Sequence, residues 1–173
     1  LFYIGDAYYR LGRYDETIDS DRRFITYYPA SKRIPDIFSR IGDCWLAQQR
    51  YEQAAAHYRF AAKFYADKPA AAFPFTAKAG EVLLKLGKDQ EAVDLLRQVI
   101  HDYPGSEQAV QARIALAGYH YHRGEIYRAF LWLDQVQKRT AVPALIAPAL
   151  MMKAEIYNRL QAYTESLDAL TAI

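Results

Sequence analysis

The sequence predicts an all-α protein: a solenoid of about five stacked helix hairpins, or about ten antiparallel helices. Three observations predict it. Small residues recur at Gly5, Gly42, Gly80, Ala117 and Ala154, spaced 37, 38, 37 and 37 residues apart, and fixed periods of this length mark repeat architectures. Two further columns keep the same spacings: Thr17, Ala54, Ala92, Ala129 and Ser166, all small, and Tyr14, Tyr51, Asp89, Ile126 and Tyr163. Finally, β-hairpin signals and sustained two-residue alternation are missing.

The approximate repeats run over 1–34, 35–71, 72–109, 110–146 and 147–173, as one array covering 1–173. The first opens inside a helix at "LFYIGDAYY", so the chain reads as a segment cut from something longer. Its turn is "LGRYDE" at 11–16, and the stop "YYPAS" at 27–31 closes it. The second repeat turns at "QQRYEQ", 48–53. In the third, "FTAKAGEVLLKL" places apolar residues at helical spacing and Gly87 interrupts. "DQEAVDLLRQVIHDY" then restores the period with Ala92, Val93, Leu96, Val99 and Ile100 on one face, and Pro104 in "YPGS" stops it. Pro69, Pro74, Pro143 and Pro148 bracket the other junctions. The fifth repeat turns at "LQAYTE", 160–165, and ends in its second helix at "LDALTAI".

The small columns have a mechanical cause. Two helices of a tight hairpin approach closely only where side chains are minimal, so Gly or Ala on the first helix meets Ala, Ser or Thr on the second. Bulky neighbours fill the remaining groove, in one column of Tyr8, Trp45, Leu83, His120 and Tyr157 and another of Phe24, Ala61, Val99, Val136 and Ile173. A lone hairpin leaves an apolar face uncovered, which stacking on the next hairpin buries. Leu167, Leu170 and Ile173 are expected to rest against a following helix, so the truncated end is a site of potential self-association.

Composition narrows the function. The 22 basic and 20 acidic side chains leave a net charge of +2, which points no strong field at nucleic acid or anionic lipid. Fifteen tyrosines supply amphipathic rings for packing seams and contact surfaces. Cys44 is the single cysteine, which excludes an internal disulfide and reads as a core residue. No apolar run approaches the ~20 residues of a membrane span.

These residues resemble the tetratricopeptide repeat family. The pattern W-x2-L-G-x2-Y, A-x3-F, then Pro is met in the second repeat by Phe38, Ile41, Gly42, Trp45, Ala54 and Tyr58. In the first it is met by Leu1, Ile4, Gly5, Tyr8, Thr17 and Pro29. Asp21 departs from it, standing where a bulky apolar residue is expected and leaving that helix's register or burial in question. The resemblance implies a right-handed α-α superhelix. The 37-residue period and Y-P-x-S stops are similar to bacterial cell-envelope members, of the barrel-assembly lipoprotein and Tol–Pal coordinator kind. That implies a scaffold in the periplasm or on the periplasmic face of the outer membrane, although cytoplasmic members also carry long repeats.

The family's concave groove, lined by first helices, projects onto three rows. Asp6, Asp43, Glu81, Gly118 and Glu155 form one; Tyr9, Leu46, Leu84, Tyr121 and Asn158 the next; Arg10, Ala47, Lys85, His122 and Arg159 the third. Asp6–Arg10, Glu81–Lys85 and Glu155–Arg159 also read as ordinary i, i+4 pairs. The carboxylate clamp of chaperone-tail-binding members is absent, because its positions hold Phe2, Asp6, Ser39 and Asp43. Expected partners are proteins or peptides with basic and apolar side chains.

Catalysis has no visible machinery: no phosphate loop, zinc-protease helix or nucleophile elbow occurs. His120 and His122, two apart on a helix, face different ways; His120 falls in the packing column and reads as a buried, hydrogen-bonded residue. No catalytic residue, metal or cofactor is expected, and the acid row breaks any basic stripe for nucleic acid. The leading expectation is a non-catalytic binding scaffold. The alternatives are a regulatory or substrate-recruiting segment of a larger enzyme and a self-assembly module.

Overall fold

The computed structural model describes residues 1–140 and 142–171. They form ten helices and no strand: α1 (Phe2–Arg10), α2 (Tyr14–Tyr27), α3 (Ile34–Ala47), α4 (Tyr51–Phe64), α5 (Pro69–Lys85), α6 (Asp89–Asp102), α7 (Glu107–His122), α8 (Ile126–Arg139), α9 (Pro143–Arg159) and α10 (Tyr163–Thr171). The chain divides into two compact units, Leu1–Ala92 and Val93–Ile173.

One turn joins the helices within each hairpin. Gly12, Gly87 and Gly124 have φ near +70°, and Gln49 and Gln161 occupy the same left-handed position at 57° and 59°. There the chain reverses with two backbone bonds. In the first hairpin Gly12 N–H donates to Tyr9 O at 3.0 Å and Arg13 N–H to Tyr8 O at 2.9 Å; the Gln49 turn repeats this onto Leu46 O and Trp45 O. These bonds satisfy carbonyls that a helix end leaves open.

The small columns are buried where the periodicity placed them. In the first unit α2 packs between α1 and α3, and α4 between α3 and α5. Gly42 faces Tyr58, and a Cβ at Gly42 would collide with that ring. Thr17 and Ala54 are fully buried beside them. Ile34, Ile37, Phe38 and Ile41 supply the core stripe of α3, each side chain stabilising by about 1.5–3 kcal/mol when fully buried. In the second unit Ala117, Ala129 and Ala154 are buried, and Leu133, Val136, Ala149 and Ile156 fill the core. Ser166 donates to Ala154 O at 3.1 Å, which ties α10 to α9. Leu167 and Leu170 remain exposed, and Ile173 lies outside the described residues.

Two expectations change. Asp21 keeps both register and burial: it is fully buried and paired with Arg40. Pro74 and Pro148 do not bracket junctions but lie inside α5 and α9, which begin at Pro69 and Pro143. Each inner proline comes just after the first turn, where it removes one helical bond and the helix continues.

Candidate functional site

The first-helix rows of the first unit form a charge ladder. Asp6 accepts from Arg10 Nε at 2.8 Å and lies 3.6 Å from Arg40 Nη1. Arg40 in turn holds Asp21 through Nη2–Oδ1 at 2.5 Å and Nε–Oδ2 at 2.7 Å. One repeat on, Asp43 Oδ1 accepts from Lys78 Nζ at 3.0 Å and from Tyr58 Oη at 2.8 Å. Glu81 follows, with its carboxyl pushed up by burial against the opposing pull of Lys78 and Lys85. The acid row is therefore threaded with cations that reach back from the next first helix.

Arg40 and Lys78 are the residues that the sequence-based rows omit. Each stands two positions before a small-column glycine, Gly42 and Gly80, and that shared offset is the signal that could have found them. Of the i, i+4 pairs, Asp6–Arg10 bonds at 2.8 Å and Glu155–Arg159 approaches to 3.5 Å, while Lys85 Nζ lies 5.7 Å from the Tyr51 ring centroid.

Beside the ladder runs the apolar row. Tyr9 is 36% exposed, with Leu46 and Leu84 half-buried. Burial and the nearby Asp43 raise the Tyr9 phenol above its ordinary value, so it stays protonated and available as a donor. Ala47 and Lys85 are exposed alongside.

The second unit differs. Tyr121 does not continue an exposed row: it is 8% exposed and packs in the core cluster with Val110, Leu133 and Ile156. A ring at that register is more stable against the neighbouring helix than in water. Among the described residues its hydroxyl has no hydrogen-bond partner, and Arg159 covers the ring face at 5.0 Å. His122 and Asn158 are exposed, Gly118 leaves room for a Cβ that would meet Met152 Cε at 3.6 Å, and Glu155 lies 3.5 Å from Arg159. Glu155, Asn158 and Arg159 line an open cleft of about 730 Å³ with Pro148, Met151, Met152 and Leu170.

The groups with chemical potential are absorbed structurally. Cys44 is fully buried and its thiol is pushed up to about 12 by burial, which leaves no thiolate at neutral pH. His120 is buried and bonds Glu125 Oε2 through Nδ1 at 2.9 Å, while His122 points to solvent.

This arrangement defines a helical-repeat solenoid class: hairpins closed on small residues, with the first helices of the first unit bearing charge beside apolar surface. The comparisons agree. The tetratricopeptide repeat family model matches residues 1–31 and 78–106. No curated protein matches the chain. Among solved structures it is similar to BtubC (BKLC) from P. vanneervenii, at TM-score 0.76 and 13% identity over 97% of this chain and 74% of that one. It is also similar to the TPR-like repeats of a putative kinesin light chain from Podospora anserina, at TM-score 0.70 and 16% identity over 98% and 89%. A third is a thermophilic TPR protein in Thermus thermophilus, at TM-score 0.63 and 17% identity over 98% and 86%. Family model and structural neighbours together support the tetratricopeptide repeat family. Such repeats generally mediate protein–protein interaction, and the scaffold is generally non-catalytic.

Proposed function

We propose that this chain is a non-catalytic scaffold that holds a partner protein or peptide on its first-helix face, within a bacterial cell-envelope assembly on the periplasmic side. The observation that carries the binding role is the row Tyr9, Leu46 and Leu84, kept partly open beside a ladder of ion pairs that fixes the helices bearing it. A surface ordered before binding loses little entropy when a partner arrives. Apolar partner side chains cover the row. Basic partner groups reach Asp43 Oδ2, since both bonds to that carboxylate fall on Oδ1. The envelope setting is supported by the 37-residue period and the Y-P-x-S stops.

The test is capture from an envelope extract of the source organism by wild type and by the Tyr9→Ala, Leu46→Ala, Leu84→Ala triple variant. Loss of the captured protein with helical circular dichroism unchanged is expected. Undiminished capture by the triple variant overturns the assignment of this face.

A further inference from the structure

A second surface of the first unit, made by second helices, is also built to receive something. We propose that the cleft between α2, α3 and α4 is a separate docking site for an acidic, apolar segment of a partner protein. A bulky apolar side chain would fill the cleft, and a neighbouring carboxylate would pair with Arg22.

The cleft encloses about 560 Å³, within the range of about 300–1,000 Å³ typical of ligand sites. Helical spacing builds it: Arg22, Ile25 and Thr26 from α2 face Ala56, His57 and Phe60 from α4, over a base from α3. Phe38 and Ile41 form that base and are fully buried, and Trp45 forms a half-buried wall. Phe60 is 57% exposed at the mouth, an apolar surface left in water. The opening exists because position 56 carries only a methyl group.

Charge selects the occupant. No carboxylate lines the cleft. Two guanidinium groups lie near the Trp45 ring, Arg22 at 5.9 Å and Arg50 at 5.4 Å from its centroid. Arg50 is matched by Asp15 at 3.5 Å, and the nearby Arg59 bridges Glu91. Arg22 forms no ion pair among the described residues, so the rim carries one uncompensated cation beside an aromatic wall. Of the other polar groups, Thr26 Oγ1 donates to Arg22 O at 3.0 Å and His57 Nε2 donates to Phe38 O at 2.9 Å, while the exposed Gln53 at the rim adds an uncharged amide. A basic segment meets like charge here, whereas an acidic one gains a partner.

The experiment follows the indole N–H signals of Trp45 and Trp132 in the full chain by NMR. The probes are the blocked peptides Gly-Asp-Phe-Leu-Asp-Gly and Gly-Lys-Phe-Leu-Lys-Gly. The acidic peptide is expected to shift the Trp45 signal saturably and leave Trp132 in place. Arg22→Glu should weaken it about tenfold or more, and Ala56→Leu, which fills the opening at an exposed position, should abolish the shift. Equal binding of both peptides, indifference to Arg22→Glu, or no saturable shift at millimolar peptide overturns the proposal. So does a Trp45 shift that follows protein dilution without peptide, which would mark the cleft as a contact between copies of this chain. The Tyr9, Leu46, Leu84 variant keeps the cleft intact, so failure here and failure of the first-helix site read out separately.

Discussion

Arg40 of α3 closes a two-pronged bridge on Asp21 of α2, in the space that Tyr58 fills one repeat later. Gly5 faces Asp21 as Gly42 faces Tyr58, and a Cβ at either glycine would collide with its partner. One seam is thus filled by an ion pair and the next by a ring.

Breaking the bridge at Asp21 leaves the largely buried Arg40 side chain with only the longer, 3.6 Å approach of Asp6 as an ionic partner. Asp21→Leu alone should cost about 3–5 kcal/mol, and adding Arg40→Met should recover most of that loss. Urea midpoints of the three proteins check it. A double variant as unstable as the single would show that the guanidinium, through Phe2 O and Asp6, acts independently of Asp21.

The helical glycines separate by what surrounds them. Gly42→Ala drives a methyl into the Tyr58 ring and should destabilise by about 1–3 kcal/mol. At Gly118 the added methyl meets only Met152 Cε at 3.6 Å, an ordinary contact. Gly118→Ala should stabilise by about 0.5–1 kcal/mol through helix propensity. Melting temperatures moving in the same direction would contradict the packing described.

Arg113 of α7 is 2% exposed; Nη1 donates to Ala109 O at 3.0 Å and Pro104 O at 3.2 Å, and among the described residues it has no carboxylate partner and its Nε no acceptor. Burial, then repulsion from Arg139, lowers its pKa. One repeat later the position holds the buried Leu150. Arg113→Leu should raise stability by about 1–3 kcal/mol, because it removes a desolvated donor without a partner. A lower melting temperature would mean that the two carbonyl bonds outweigh that cost.

Acid should weaken the first unit through His57. Burial pushes this imidazole below its ordinary value of about 6.5, opposed by its bond to Phe38 O. The unfolded chain then binds the proton more readily, so the contribution is complete above about pH 6.5 and is lost as pH falls below it. Glu125 acts in a different window: its bonds to His120, Arg128 and Arg123 hold its carboxyl at about 2. Its contribution is present above about 4.3 and disappears only as pH falls toward 2. Between pH 7 and 5.5 the melting temperature of His57→Gln should fall less than that of wild type; parallel curves would remove His57 as the cause.

Ten helices, their hairpin turns and the buried small columns were legible in the sequence because they rest on local rules: helical period, turn geometry and the space two close helices allow. Gly12 and Gly87 stand in turns read from the sequence, whereas the Gly124 turn of the fourth repeat is not singled out there and follows only from the repeat spacing that aligns Ile126 with Tyr14 and Tyr51. Gln49 and Gln161 lie in the turn phrases at 48–53 and 160–165, but nothing in a glutamine announces the left-handed conformation they share with the turn glycines. The tertiary structure alone decided which long side chains meet. Arg40 and Lys78 span from one hairpin to the previous one, Tyr121 turns into the core, and small Ala56 opens a cleft that no single helix contains. Such choices depend on how far apart helix surfaces lie in three dimensions, and a flexible arginine or lysine has several acids within reach along the chain. Packing selects one of them.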